Sequence, residues 1–314
     1  MEARNDHLEV MRSEIALLQH HWRSFGPHAD KDKKPALRKA LDFLDQKWWK
    51  EIVQWHSPSS IPPRRQYHTL SHLAEMFGHF NRYLTKLKDP RAVALSIFFH
   101  DIIYDPESKT NEEDSAEVFI KFGEEAKLEE RLVAKVKAYI LATKSHEHGP
   151  QVQSDPDLAL FLDFDMAVLG RPLAGYMAYA AQIRQEFIHF PVDGYCEGRA
   201  KVLRGFLAMG NVFASAEFRA AREATARANL EAEIAELEAG RVPLPLPGQP
   251  DTISVTPSKK GQTDKKFQVY KHPTLKERIN WRAVRSQLAI MAISGAFVFV
   301  GYSLIVGKRK KAGK

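Results

Sequence analysis

The sequence of 314 residues has a single cysteine, Cys196. One thiol excludes an intrachain disulfide and a zinc site built from several thiolates, so histidine and carboxylate side chains would have to hold any metal ion. The alternation of apolar and polar residues that marks strands is also nearly absent. The sequence therefore predicts an all-α protein.

Most of the chain carries no net positive charge, although the formal net charge of the whole is +7. Residues 271–314 contain ten Lys and Arg and a single acid, Glu277, which leaves residues 1–270 slightly negative. A protein that binds nucleic acid clusters basic residues on its folded domain, because they neutralise phosphates. We therefore expect no nucleic-acid partner.

We expect no N-terminal targeting segment, since MEARNDHLEVMRSE is too charged for a signal peptide and too acidic for a transit peptide. Residues 288–307, LAIMAISGAFVFVGYSLIVG, carry no charge and have about the 20 residues that a membrane-spanning helix needs. Basic residues flank this stretch on both sides. We predict a C-terminal membrane anchor with a basic tail over 281–314, in the mitochondrial outer membrane or the endoplasmic reticulum, with the preceding domain in the cytosol. The alternative is a terminal helix buried against that domain.

Residues 243–266 are rich in Pro, Gly, Ser, Thr and Lys, and they predict a flexible linker over 241–280. Residues 1–240 form the predicted helical domain, because apolar residues recur there at spacings of three and four. The predicted helices cover residues 7–23, 35–55, 69–86, 90–102, 112–122, 128–143, 172–189, 195–212 and 216–240. The breaks near 57–63 and 146–157 indicate loops within one domain.

Two histidines, His68 and His72, stand four residues apart in the stretch RRQYHTLSHL. A helix that opened at Tyr67 would place both imidazoles on one face. A zinc-protease motif is excluded because Thr69, and not glutamate, follows His68. The alternative interpretation is a pair of surface histidines.

Two apolar segments carry acidic residues. AVALSIFFHD ends in His100 and Asp101, and LALFLDFDMAVLG contains Asp163 and Asp165. A helix that is apolar all round is buried, and a buried carboxylate is costly unless it is paired or binds a metal ion. A hydrogen-bonded core pair would also explain His100 and Asp101. Asp165 is the preferred metal ligand and Asp163 the second choice.

Together these residues, H…HD…D on separate helices, resemble the HD superfamily of metal-dependent phosphohydrolases. The sequence is most similar to a family of predicted HD-type phosphohydrolases, over roughly residues 10–235. The segments that carry this resemblance are RRQYHTLSHL, FFHDIIYDP, NEEDSA, ILATKSH, FLDFDMAVLG, IRQEFIHFP and GRAKVLRGFL. The resemblance implies an HD-domain helical bundle that hydrolyses a small phosphomonoester or phosphodiester, such as a nucleotide.

The resemblance also implies roles for the motif residues. His72, His100, Asp101 and Asp165 would bind a divalent metal ion: Mn, Fe, Mg or Zn. Asp101 would also be catalytic. His68 would be the proton donor, since Tyr67-His68…His72 is similar to the start of the cyclic nucleotide phosphodiesterase site. Thr69 replaces the usual Asn there, and Ile102-Ile103-Tyr104 follow the His-Asp pair, which argues against a cyclic nucleotide substrate.

Further residues are candidates for supporting roles. Glu112 or Glu113 could orient a ligand histidine or the attacking water, although helix capping explains them as well. His146 could bind a second metal ion, whereas Lys144 and Arg184 could hold phosphate or be ordinary surface charges. Two other functions stay open: a di-iron oxygenase of the HD type, and a membrane-tethered module that binds a metal or ligand without catalysis. The sequence does not predict an oligomeric state.

Overall fold

The structure, a computed structural model, describes residues 2–29, 35–58 and 65–244. The predicted membrane anchor and almost all of the predicted linker lie outside these residues. Among the described helices, none has the length and apolar character needed to cross a membrane.

Within the described residues the fold is built from α-helices and short 3₁₀ turns, without a strand, so the all-α prediction is confirmed. The helices are α1 (Glu2–Phe25), α2 (Pro35–Trp55), α3 (Leu70–Tyr83), α4 (Pro90–Phe99), α5 (Asn111–Ala126), α6 (Glu130–Ala142), α7 (Pro150–Ser154), α8 (Pro156–Met166), α9 (Leu173–Glu186), α10 (Val192–Ala208) and α11 (Ala216–Glu238). The 3₁₀ turns are Pro27–Ala29, Leu84–Lys86 and Ala167–Gly170.

Helices α4 and α8 form the centre of the core. Both begin in the same way, with an aspartate cap followed by proline: the carboxylate of Asp89 accepts from the N–H of Ala92, and that of Asp155 accepts from Asp157 and Leu158. Almost every residue of these helices is buried, because α3 and α6 pack against both of them. Polar residues at their ends are therefore held inside the domain.

Two predicted boundaries were wrong. Helix α3 begins at Leu70 with Thr69 as its extended N-cap, so His68 precedes the helix instead of lying on its face. The cause is distant in sequence: the N–H groups of residues 66–68 donate to Glu186, which holds this segment out of helical geometry. The predicted loop 146–157 contains α7, which has proline in its first turn.

Candidate functional site

Three helices bring their polar residues together at one point in the core. His72 lies on α3, His100 caps the end of α4, and Asp165 lies near the end of α8. Nε2 of His72 is 3.1 Å from Oδ1 of Asp165 and 3.3 Å from Nε2 of His100. Nε2 of His100 is 3.7 Å from the same carboxylate oxygen. Among the described residues, these three form a group that could hold a metal ion.

The donor separations suit a common metal ion. Ligands at about 2.1 Å from one ion lie roughly 3.0–3.4 Å apart in octahedral or tetrahedral geometry. The observed separations of 3.1–3.7 Å are close to that range. Nδ1 of His100 lies 3.0 Å from the carbonyl of Ile97, which orients the ring and leaves Nε2 as the metal-facing nitrogen. Two buried imidazole nitrogens that face each other need a shared proton or a cation between them.

Asp101 lies beside this group but is not one of its three members. Its Oδ2 is 3.1 Å from Nε2 of His100 and 4.0 Å from Nε2 of His68. Burial alone would lower the pKa of His100, but Asp101 and Asp165 raise it to about 9. Burial would raise the pKa of Asp101, but His100 and His68 hold it well below its usual value. The site thus concentrates negative charge around the imidazoles.

His68 is oriented by Glu186, a fully buried carboxylate at the end of α9. Nδ1 of His68 lies 2.7 Å from Oε2 of Glu186, and the hydroxyl of Tyr104 donates to the same oxygen at 2.6 Å. Oε1 of Glu186 accepts the three N–H groups of residues 66–68. Burial alone would lower the pKa of His68, but the Glu186 carboxylate raises it. The arrangement leaves Nε2 of His68 facing Asp101.

Arg65 connects the His68 segment with the end of α4. Its guanidinium donates to the carbonyl of His68 at 2.9 Å and to the carbonyls of Asp101 and Ile102 at 2.8 and 3.1 Å. Burial lowers the pKa of Arg65 to about 10, and the charges of Asp101 and Glu186 counter part of that shift. Arg65 therefore fixes the spacing of His68 and Asp101.

His146 reaches the site from the loop between α6 and α7. Its Nε2 lies 2.8 Å from Oδ2 of Asp165, while Oδ1 of Asp165 faces His72 and His100. His146 adopts the left-handed backbone region with φ of 52°, which costs a non-glycine residue about 1–2 kcal/mol. Asp165 therefore has histidines on both of its oxygens.

The structure holds the other candidate residues by different contacts. Both oxygens of Asp163 accept N–H groups, from Ala214 at 2.6 Å and Ser215 at 2.7 Å, so Asp163 holds the start of α11 and not the site. Burial raises the pKa of Asp163 to about 7. Arg184 is buried and donates to the carbonyls of Phe187 and Phe190, which makes it a structural residue instead of a phosphate ligand.

Lys144 and Glu113 form an exposed ion pair, with Nζ and Oε1 2.5 Å apart. Lys144 also donates to the carbonyl of Lys109 at 2.9 Å, and neither contact involves the three-residue group. Glu112 is half-buried, and burial raises its pKa with a further contribution from the nearby Asp101 charge. Of the two glutamates, Glu112 is therefore the one whose pKa depends on the charge of Asp101.

Sequence reasoning missed Glu186, Arg65 and Tyr104. All three stand in the segments quoted for the resemblance, RRQYHTLSHL, FFHDIIYDP and IRQEFIHFP. The local sequence does not single out Glu186, since Arg184 and Gln185 precede it and make the end of α9 polar. The partner itself could not be identified, because it lies 118 positions away.

No protein-family model, no curated protein and no solved structure matches the chain.

Proposed function

We propose that this protein is a metal-dependent hydrolase of small phosphomonoesters or phosphodiesters. The observation that carries the proposal is the convergence of His72, His100 and Asp165 at separations suited to one divalent cation. Mn, Fe, Mg and Zn all accept this mixture of imidazole and carboxylate ligands. Asp101 is a fourth candidate ligand, through the oxygen that faces His100.

A divalent ion held by these residues would polarise a phosphoryl oxygen and lower the pKa of a bound water. The other roles belong to the protein. His68 holds a proton at Nε2 for the leaving oxygen, while Glu186 accepts the Nδ1 proton and fixes the ring. Asp101 lies 4.0 Å from that Nε2 and keeps the imidazole directed into the site.

A second metal ion is supported by one further contact, the 2.8 Å approach of His146 to Oδ2 of Asp165. His146 and Asp165 would be the residues that hold such an ion. That arrangement also suits the alternative of a di-iron oxygenase. The two activities differ in their co-substrate, because oxidation consumes oxygen and requires iron, whereas hydrolysis requires neither.

The proposal is tested on the full-length chain, purified without chelator. Metal content is measured by mass spectrometry beside turnover of p-nitrophenyl phosphate, its bis-ester and a panel of nucleotides. We expect at least one bound divalent ion per chain and turnover that both fall in His72→Ala, with exposed His20→Ala as the matched control. A folded, metal-free and inactive protein would leave only a non-catalytic module. Oxygen uptake with bound iron and no phosphate release would favour the oxygenase.

We also propose that residues 281–314 anchor the protein in the mitochondrial outer membrane or the endoplasmic reticulum, with residues 1–240 in the cytosol. The uncharged stretch 288–307 and its basic flanks support this location. Carbonate extraction of cell membranes tests it: the full chain should stay in the pellet, and a chain without residues 281–314 should be released.

A further inference from the structure

The segment that follows Glu186 exposes apolar side chains beside the candidate site. Ile188, Phe190 and Val192 are 39%, 44% and 42% exposed. They account for three of the ten exposed large hydrophobic residues in the described chain, within five consecutive positions. A cluster of this kind marks an interaction surface, whereas scattered exposed apolar residues do not. We call residues 187–192 the apolar loop.

The apolar loop is held in place by specific contacts. The buried guanidinium of Arg184 donates to the carbonyls of Phe187 and Phe190, at 2.7 and 3.2 Å. The N–H of Phe190 closes a turn onto the carbonyl of Phe187. Arg184 also stacks on the ring of Tyr195, 4.7 Å from its centroid. A buried cation therefore presents Phe190 to the solvent in a defined position.

The apolar loop adjoins the residues that hold His68. His72 and His100 are buried, whereas His68 and Asp101 are partly exposed. The loop starts directly after Glu186, which holds His68 and Tyr104. Its His189 approaches Glu107, in the segment that follows Tyr104, to 4.0 Å. The loop therefore neighbours the segment whose Tyr104 stacks on His68, at the more exposed side of the site.

We propose that the apolar loop inserts into the interface of the bilayer and that the substrate is a lipid phosphate ester, an inference that rests on the proposed function. The sequence supports a membrane as the partner of the apolar loop. The uncharged stretch 288–307 predicts a membrane anchor, and 43 residues, 245–287, separate it from the described domain. The sequence of these residues predicts a flexible linker, and a flexible linker of that length would span roughly 35 Å, enough to let the domain reach the membrane surface. A lipid phosphate presents its ester at that surface, beside the depth at which Phe190 would lie.

Insertion is tested with a fluorescent label whose emission depends on polarity. Cys196→Ala removes the single thiol, and Phe190→Cys or, as a control, Phe43→Cys on α2 supplies a new one. Each full-length variant is reconstituted in phosphatidylcholine vesicles with and without spin-labelled lipid. We expect a blue-shifted emission at position 190 that spin-labelled lipid quenches, and neither effect at position 43. Equal quenching of both positions by aqueous iodide overturns the proposal. So does a blue shift that lipid does not quench, because a second protein chain then covers the loop.

The substrate class is tested with the double variant Ile188→Ser, Phe190→Ser. Vesicles containing phosphatidic acid are compared with soluble glycerol phosphate, and Val202→Ser on α10 is the matched control. We expect the rate of the double variant on vesicles to fall by about tenfold or more, because two apolar contacts with the membrane are lost. Its rate on the soluble ester should not change. An equal loss on both substrates, or no loss on vesicles, overturns the proposal. If no phosphate ester is turned over, the proposed function fails, while the label still decides whether the loop inserts.

Discussion

Nδ1 of His68 lies 2.7 Å from Oε2 of Glu186, although the two residues are 118 positions apart. This contact orients an imidazole that precedes α3 beside the group that could hold a metal ion, and the proposed proton transfer depends on it. Because Glu186 is fully buried and also accepts three backbone N–H groups, its side chain has no freedom to leave His68.

We predict that Glu186→Gln and His68→Ala slow the hydrolysis of esters with a poor leaving group more than that of esters with a good one. An alkyl phosphate needs a proton on its leaving oxygen, so its kcat should fall by about 10²-fold or more in His68→Ala. p-Nitrophenolate leaves without a proton, so its rate should change much less. Steady-state rates on both esters, with metal content measured in parallel, make the comparison. An equal loss on both esters would contradict proton donation by His68.

We predict that two aspartates on α8 behave differently when each is replaced by asparagine. Asp165→Asn should lower bound metal and activity together, because it removes a charged ligand oxygen. Asp163→Asn should keep the metal and destabilise the fold by about 1–3 kcal/mol, because it sets an amide NH₂ against an N–H donor of the α11 start. Metal analysis and urea unfolding of both variants check the pair. Loss of metal in Asp163→Asn alone would reverse the assignment.

We predict that His21 makes the protein sensitive to acid. Burial, with a contribution from His20, lowers the pKa of His21 to about 4, and neither ring nitrogen has a hydrogen-bond partner in the described structure. The folded state therefore binds fewer protons than the unfolded state between about pH 6.5 and 4, so stability falls as pH falls through that window. At pH 5, His21 should lower the free energy of unfolding by about 2 kcal/mol relative to its value well above pH 6.5.

His21→Phe should remove this dependence, since the ring already stacks on Phe77 with centroids 4.3 Å apart. Urea unfolding at pH 7 and pH 5 measures it, and exposed His189→Ala serves as the control. An unchanged difference between the two pH values in His21→Phe would exclude His21 as the cause.

We predict that breaking two different ion pairs between α10 and α11 destabilises the fold by unequal amounts. Glu233 is fully buried and accepts from Arg199 at 2.9 and 3.3 Å, and from the hydroxyl of Tyr176. Glu233→Ala should cost about 3–5 kcal/mol, since it leaves a buried guanidinium without its partner. The matched pair Arg204–Glu238 is exposed, so Glu238→Ala should cost under about 1 kcal/mol. Thermal and urea unfolding compare the variants, and similar costs would show that burial is not the deciding factor.

The all-helical fold could be predicted because the apolar spacing is strong along the whole domain. The almost continuous apolar runs of α4 and α8 also indicated that His100 and the α8 aspartates are enclosed. Periodicity could not decide between Asp163 and Asp165. Residues two apart on a helix point in opposite directions, and only the packing of α3, α4 and α11 around α8 shows which direction is the site.

The segment around His68 illustrates what local patterns miss. Its spacing to His72 favours a helix, yet Glu186 draws three consecutive N–H groups away from helical bonding. Charge type alone favours Arg184 as a phosphate ligand, yet its buried guanidinium donates to the nearby carbonyls of Phe187 and Phe190.

The order of the site residues along the chain has a consequence for synthesis. The group that could hold a metal ion is complete once Asp165 has been made, whereas His68 gains its partner only when Glu186 emerges. A chain grows from its N-terminus, and a domain folds as its parts become available. During translation, the three residues that could hold a metal ion are therefore all made before the carboxylate that orients His68.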